Sequence, residues 1–197
     1  MPIRVLIGLA ALLALAAGGL LFTLKSGDND RAPLAPATVS APFVLTDQDG
    51  RRFDSASLRG KAALVFFGFT RCPDICPTTL AAMSNVLETL GSDADKVQPV
   101  FISVDPERDT PAVLKAFHAL FDPRILMLTG SPDEIAAVAK AWHVYYKQQP
   151  PDPSGNYAVD HTASVFLIDR EGLFRSTFDF HESETVIAEK VKLLIAR

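Results

Sequence analysis

The sequence predicts an α/β domain, a mixed sheet flanked by helices, with a β-hairpin at its start and an apolar segment before it. Three observations predict this. Dense apolar runs alternate with amphipathic helical runs through the second two thirds of the chain. A hairpin pattern opens that region. The two cysteines, Cys72 and Cys76, stand where one apolar run gives way to a helical one.

The elements follow in order. Phe43-Val44-Leu45, the turn Asp47-Gln48-Asp49-Gly50 and Arg51-Arg52-Phe53 read as the hairpin. Ala62 to Phe69 is apolar throughout, as in a strand covered on both faces. After Cys72-Pro73-Asp74-Ile75-Cys76-Pro77, the residues Leu80, Met83, Val86, Leu87 and Leu90 recur at helical steps, and Gly91 closes the run. Val97 to Val104 is a second buried strand. Thr110 caps a helix over 111–121 with Pro111 in its first turn. Ile125 to Leu128 is a third strand, and Ser131-Pro132-Asp133-Glu134 is a capping box that opens a helix to Trp142. Residues 147–157, rich in Pro and Gln, read as a loop. Ala163 to Ile168 and Leu173 to Phe180 are strands about the turn Asp169-Arg170-Glu171-Gly172, and a last helix covers 183–196. A cysteine pair directly after a buried strand and opening a helix is the thioredoxin-like arrangement.

From Val5 to Leu24 no charged residue occurs, and Thr23 is the only polar side chain. About twenty such residues suffice to cross a bilayer as a helix. Arg4 precedes the run, and Lys25 and then Asp28, Asp30 and Arg31 follow it. This leans toward a cytoplasmic N-terminus with the domain outside. A cleaved signal peptide is the rival reading, and it also exports the domain. The expected organisation is an N-terminal membrane anchor at 1–25, a flexible tether at 26–40 and a thioredoxin-like domain at 41–197. The lack of an Arg- and Ser-rich transit sequence favours a bacterial, single-pass inner (cytoplasmic) membrane protein facing the periplasm or cell exterior. The net charge of −4 shows no basic excess, so a nucleic-acid partner is not expected.

One close cysteine pair in an exported chain reads as redox-active or metal-binding rather than as a disulfide scaffold. The residues are four apart, which on a helix places both side chains on one face. A helix N-terminus favours their thiolates. Two thiolates rarely complete a metal site, so a third ligand is expected among the four histidines. His118 lies within a helix, His143 at a helix end and His181 past a strand, positions that ordinary packing explains. His161 stands at the junction of a polar loop and a strand, beside Asp160, which is a candidate partner for its ring or a weak ligand. Asp105 ends the strand next to the cysteine-bearing one and is a candidate source of charge near the site; the alternative is a turn residue before Pro106.

Phe69-Thr70-Arg71-Cys72-Pro73-Asp74-Ile75-Cys76-Pro77-Thr78 closely resembles the copper motif of the Sco/SenC family of cytochrome c oxidase assembly factors. Ile102-Ser103-Val104-Asp105-Pro106-Glu107-Arg108-Asp109-Thr110-Pro111 and Tyr157-Ala158-Val159-Asp160-His161-Thr162-Ala163 resemble that family's second and third hallmarks. The resemblance implies that Cys72, Cys76 and His161 bind copper. It implies a metallochaperone that receives the metal from a periplasmic donor and serves the copper-bearing subunit of the oxidase. It equally permits a thiol–disulfide reductase in which Cys72 and Cys76 cycle and keep the oxidase cysteines reduced, drawing on a periplasmic thiol reductant. A peroxidase on the same fold is disfavoured, since Val65 stands where a peroxiredoxin-type motif would place Pro. His161 is expected to reach the pair because it precedes a strand predicted to run antiparallel to the cysteine-bearing one, which brings both to one sheet edge.

Overall fold

The computed structural model describes residues 40–196. The expected anchor at 1–25 and tether at 26–40, apart from Ser40, lie outside those residues. Among the described residues no helix is long and apolar enough to cross a membrane.

Strands β1 (Val44–Asp47) and β2 (Arg52–Asp54) form the hairpin. The Asp47 carboxylate closes its turn by accepting the N–H groups of Asp49 and Arg51. Strand β3 (Ala62–Gly68) is buried at every residue and feeds helix α1 (Ile75–Leu90). Then come β4 (Val97–Ser103), α2 (Pro111–His118), β5 (Leu126–Thr129) and α3 (Pro132–Ala141). Strands β6 (Tyr146–Gln148) and β7 (Val159–His161) follow, then β8 (Val165–Ile168), β9 (Phe174–Phe178) and α4 (Glu184–Ile195). The caps the sequence announces are present, Thr110 for α2 and the Ser131/Glu134 capping box for α3, and Ser183 caps α4.

Seven strands form one mixed sheet in the order β2-β1-β5-β4-β3-β8-β9. β3, β4 and β5 are parallel, and β8 runs antiparallel to β3 with Phe66 opposite Val165. Side chains alternate across the sheet, so Phe66 and its neighbour Phe101 share one face and Phe67 takes the other. On the first face Phe101 meets Phe117 of α2. On the second, Phe67, Trp142 and Phe166 pack with ring centroids 5.8–6.0 Å apart, and the Trp142 indole donates to the Ala41 carbonyl.

The segment expected as a loop at 147–157 is flanked by a ribbon. β6 and β7 pair antiparallel, Tyr146 opposite His161, as a separate two-stranded sheet. Strands of three residues are too short to show an alternation, and the pairing joins segments ten residues apart through Pro150 and Pro151. Helix α2 also stops at His118, short of Phe121.

Two outcomes are expected of this core. A fragment starting at Ala35 should be soluble and give a cooperative urea transition, because the core closes within the described residues. Phe67 is fully buried, and Phe67→Ala should cost about 3–5 kcal/mol by urea denaturation, since no neighbour can fill the space of a ring wedged between two others.

Candidate metal centre

The parallel strands β3 and β4 end side by side, with Gly68 opposite Ser103. The chain beyond β3 has to leave the sheet, turn and enter α1. A wholly buried carboxylate, Asp109, holds that turn. It accepts the Thr70 N–H at 2.9 Å, the Thr70 hydroxyl at 2.6 Å and the Ser103 hydroxyl at 2.6 Å. A buried carboxylate is tolerated only when its oxygens are so supplied. The Val104 N–H adds a bond to the Gly68 carbonyl.

Cys72 and Cys76 do not share a helix face, contrary to the expectation from spacing. Helix α1 begins at Ile75, so Cys76 lies in its first turn and Cys72 in the turn before it. The bend of the loop brings the sulfur of Cys72 onto the first turn, where the Cys76 N–H points at it from 3.4 Å. That amide has no partner within the helix, and it carries the positive end of the helix dipole. Cys76 packs down against the end of β3. A Cβ at position 68 would stand 2.8 Å from the Cys76 Sγ and 2.8 Å from the Phe101 ring, so only glycine allows this approach.

His161 ends β7 and comes to the same edge, since β8, which follows it, is antiparallel to β3. Its Nε2 lies 3.5 Å from the Cys76 Sγ. Its Nδ1 lies 3.0 Å from the Thr162 carbonyl, which can only accept, so a proton on Nδ1 is satisfied there and Nε2 is the nitrogen that faces the sulfurs. The ring is held edge-on by Phe69 at 5.8 Å and by Phe66 at 6.1 Å.

The ligand atoms of Cys72, Cys76 and His161 all lie within 4.8 Å of one another. Thiolate and imidazole bonds of about 2.3 and 2.0 Å place three donors in a plane roughly 3.7–4.0 Å apart. The trio therefore fits around one ion with small adjustments. Two sulfurs and one imidazole are a soft donor set that suits Cu(I). Cys76 is buried, while Cys72 and His161 are half-buried and face outward.

The two sulfurs do not ionise alike. The hydrogen bond from Cys76 is the largest influence that lowers the Cys72 thiol, to about 3; burial opposes it, and His161 and the amides of Asp74 and Cys76 assist. The thiol of Cys76 is driven far above its ordinary value, first because it donates to Cys72 and then because it is buried. The metal-free pair thus carries one negative charge, centred on Cys72.

Asp160 is not brought to this trio. Alternation along β7 turns it to the exposed side, where it accepts from Gln149. Asp105 is buried at the β4–α2 turn, and its charge is taken up by Arg108, with which it forms an ion pair, and by the Tyr157 hydroxyl at 2.8 Å. Burial and then this bond push the Tyr157 phenol up to about 12. His118 faces the Pro123 carbonyl, His143 adopts a left-handed backbone after α3, and His181 stacks on Phe180. Among the described residues no other cluster of metal-ligating side chains joins the trio. Sequence reasoning missed Asp109, Arg108 and Tyr157 as site residues. A signal existed for Asp109: Thr70 and Ser103 are polar residues at the ends of two otherwise apolar runs, and they require a shared buried partner.

The SCO1/SenC family profile matches residues 31–196. An SCO2-like protein of Rickettsia prowazekii is 39% identical over 183 residues, covering 88% of this chain and 89% of its own. Bradyrhizobium japonicum ScoI with copper bound superposes with a TM-score of 0.74 at 48% identity, over 79% of this chain and 98% of that one. Yeast Sco1 with copper bound gives 0.73 at 39% identity, over 80% and 88%. With the profile spanning the whole domain and relatives matched nearly end to end, this chain belongs to the SCO1/SenC family.

Proposed function

We propose that the chain binds a single copper ion through Cys72, Cys76 and His161 and delivers it during assembly of cytochrome c oxidase, acting on the copper-bearing subunit. The convergence of two sulfurs and one imidazole nitrogen within 4.8 Å carries this reading. The copper-bound relatives and the soft donor set support copper over zinc, which would take a fourth ligand or a water. Copper is cargo here. Cys76 would anchor it from within, and Cys72 and His161, at the surface, would be the groups an acceptor thiolate displaces. The apolar run at 5–24 supports a single-pass anchor that holds the domain on the outer side of a bacterial inner membrane.

A second reading is favoured by a specific observation, the unequal ionisation of the pair. Thiol–disulfide exchange needs an attacking thiolate that is accessible, and Cys72 is ionised and half-exposed while Cys76 is a buried thiol that can resolve the mixed disulfide. A disulfide switch is identified in a solved relative of 30% identity, BsSco, a member of the Sco family of cytochrome c oxidase assembly proteins. Both chemistries draw on the same two sulfurs, and forming the disulfide removes both thiolates from the metal.

The reduced full-length chain should bind one Cu(I), and the disulfide form should bind none. His161→Ala should retain a weakened Cu(I) site and lose Cu(II) affinity further, because imidazole suits Cu(II) and two thiolates alone reduce it. Copper stoichiometry by competition with a Cu(I) chelator, together with the Cu(II)–thiolate absorption, checks this. Unchanged Cu(II) spectra in His161→Ala would remove the imidazole from the site and leave a plain dithiol reductase.

The ionisation makes its own prediction. Cys72 is already a thiolate well below neutral pH, so alkylation of Cys72 by iodoacetamide should be nearly flat between pH 5 and 8. A thiol of ordinary acidity would speed up about tenfold per unit over that range. Cys76 should stay unmodified throughout, as peptide mapping would show. A tenfold-per-unit rise at Cys72 would contradict the charge assignment.

A further inference from the structure

The segment that delivers His161 is set apart from the main sheet. Strand β7 pairs only with β6, and the turns between them close on themselves: Gln149 N–H to the Ala158 carbonyl, Asp152 N–H to the Asn156 carbonyl and Thr162 N–H to the Tyr145 carbonyl. Among the described residues, every hydrogen bond of segment 145–162 stays inside it except two kinds. One is the contact of His161 with Cys76. The others belong to Tyr157, whose carbonyl accepts from the Arg108 Nη1 at 2.8 Å and whose hydroxyl donates to Asp105 at 2.8 Å. The guanidinium of Arg108 also lies over the Tyr157 ring, its Cζ 3.4 Å from the centroid, and reaches the Phe69 ring at 5.9 Å. Phe69 in turn meets the His161 ring edge-on.

We propose that Arg108 and Tyr157 are positioning residues for His161: the guanidinium, wedged between the Tyr157 and Phe69 rings and bonded to the Tyr157 carbonyl, fixes the β6–β7 ribbon and so sets the imidazole against the cysteine pair. The inference rests on the copper reading above and adds to it a pair of residues that touch neither sulfur nor imidazole. Arg108 is held by Asp105 on the rigid β4–α2 turn, so its position is set by the sheet. Tyr157 stands four residues before His161, which ends the three-residue strand β7, so the chain between them has little slack. A planar guanidinium suits the task because it stacks and donates in one orientation, which an ammonium cannot do.

Tyr157→Leu removes the ring and the hydroxyl while leaving the Asp105–Arg108 pair intact, so no buried charge is orphaned. Tyr157→Phe keeps the face on which the guanidinium stacks, and Arg108→Gln removes the clamp from the other side. The full-length chain in detergent is loaded with Cu(II) or Cu(I), and affinity, Cu(II)–thiolate absorption and nitrogen coupling in the electron paramagnetic resonance spectrum are compared with His161→Ala. Tyr157→Leu and Arg108→Gln should lose about tenfold in Cu(II) affinity, as loss of a ligand's support does, together with most of the nitrogen coupling. Cu(I) affinity should fall much less, and Tyr157→Phe should recover most of the Cu(II) loss. In the metal-free chain, amides 159–162 should exchange about tenfold faster while those of β3 and β4 hold. The double variant Tyr157→Leu/His161→Ala should bind Cu(II) no worse than His161→Ala alone, since the clamp acts through that ring.

Additive losses in the double variant, or wild-type nitrogen coupling in both Tyr157→Leu and Arg108→Gln, would overturn the positioning role while leaving the copper reading in place. A wild type with no nitrogen coupling, or His161→Ala indistinguishable from it, would overturn the copper reading and the positioning role together. If Tyr157→Leu does not fold, Arg108→Gln alone and Arg108→Gln/His161→Ala decide between the same outcomes.

Discussion

Asp109 is wholly buried where β3 and β4 end, and the turn that leads from sheet to helix hangs on its carboxylate. Three hydrogen bonds to Thr70 and Ser103 fix the first residues after β3, so the chain is aimed before it reaches Cys72. Removing such a group would strand its partners without water, which is why a buried carboxylate with full hydrogen bonding acts as a geometric constraint more than as a source of stability. The same carboxylate lies close enough to the cysteines to oppose ionisation of Cys76. The turn it fixes therefore also shapes which sulfur holds the charge.

Around that turn, the two sulfurs are given different surroundings by a difference of four residues. Cys76 sits on the floor of the site, closed in by Gly68 and the Phe101 ring, with no room for a larger residue at 68. Cys72 sits at the rim and receives the free amide of the helix start. One buried thiol beside one half-buried thiolate is a good arrangement for disulfide exchange, and the same arrangement offers a soft cation one fixed donor and one donor that can be displaced. A site for transferring a metal has to hold it without enclosing it. The half-exposed Cys72 and His161 leave that edge open.

His161 reaches the site by another route. The cysteines are placed by the central sheet, but the imidazole comes on a ribbon whose own hydrogen bonds are internal. Its ring is gripped by Phe66 and Phe69, two residues of the cysteine-bearing segment, one within β3 and one just past its end. Aromatic edges set the tilt of the ring, and the Thr162 carbonyl faces its Nδ1. The ligand with the weakest support from spacing is thus the one with the most dedicated scaffolding.

The sequence by itself determined the central sheet and its helices, because apolar runs such as Ala62–Gly68 and caps such as Ser131/Glu134 are local signals with a fixed period. It also determined the chemistry on offer, since Cys72, Cys76 and His161 are legible from residue type and motif. The antiparallel β8 that brings His161 to the cysteine edge was legible too, through the order of apolar runs. The β6–β7 ribbon was not, because strands of three residues carry no period. Nor was the start of α1 at Ile75, which leaves Cys72 in the turn outside the helix although a spacing of four suggests one helix face. Tertiary structure alone decided that Asp160 faces solvent, that Asp105 is neutralised by Arg108, and that Asp109 lies beneath the turn. Three acidic residues within a few positions of the ligand motifs look alike in sequence; which of them meets a cation, a hydroxyl or water depends on partners 3 to 52 positions away, and only the packed fold brings those partners within hydrogen-bond reach.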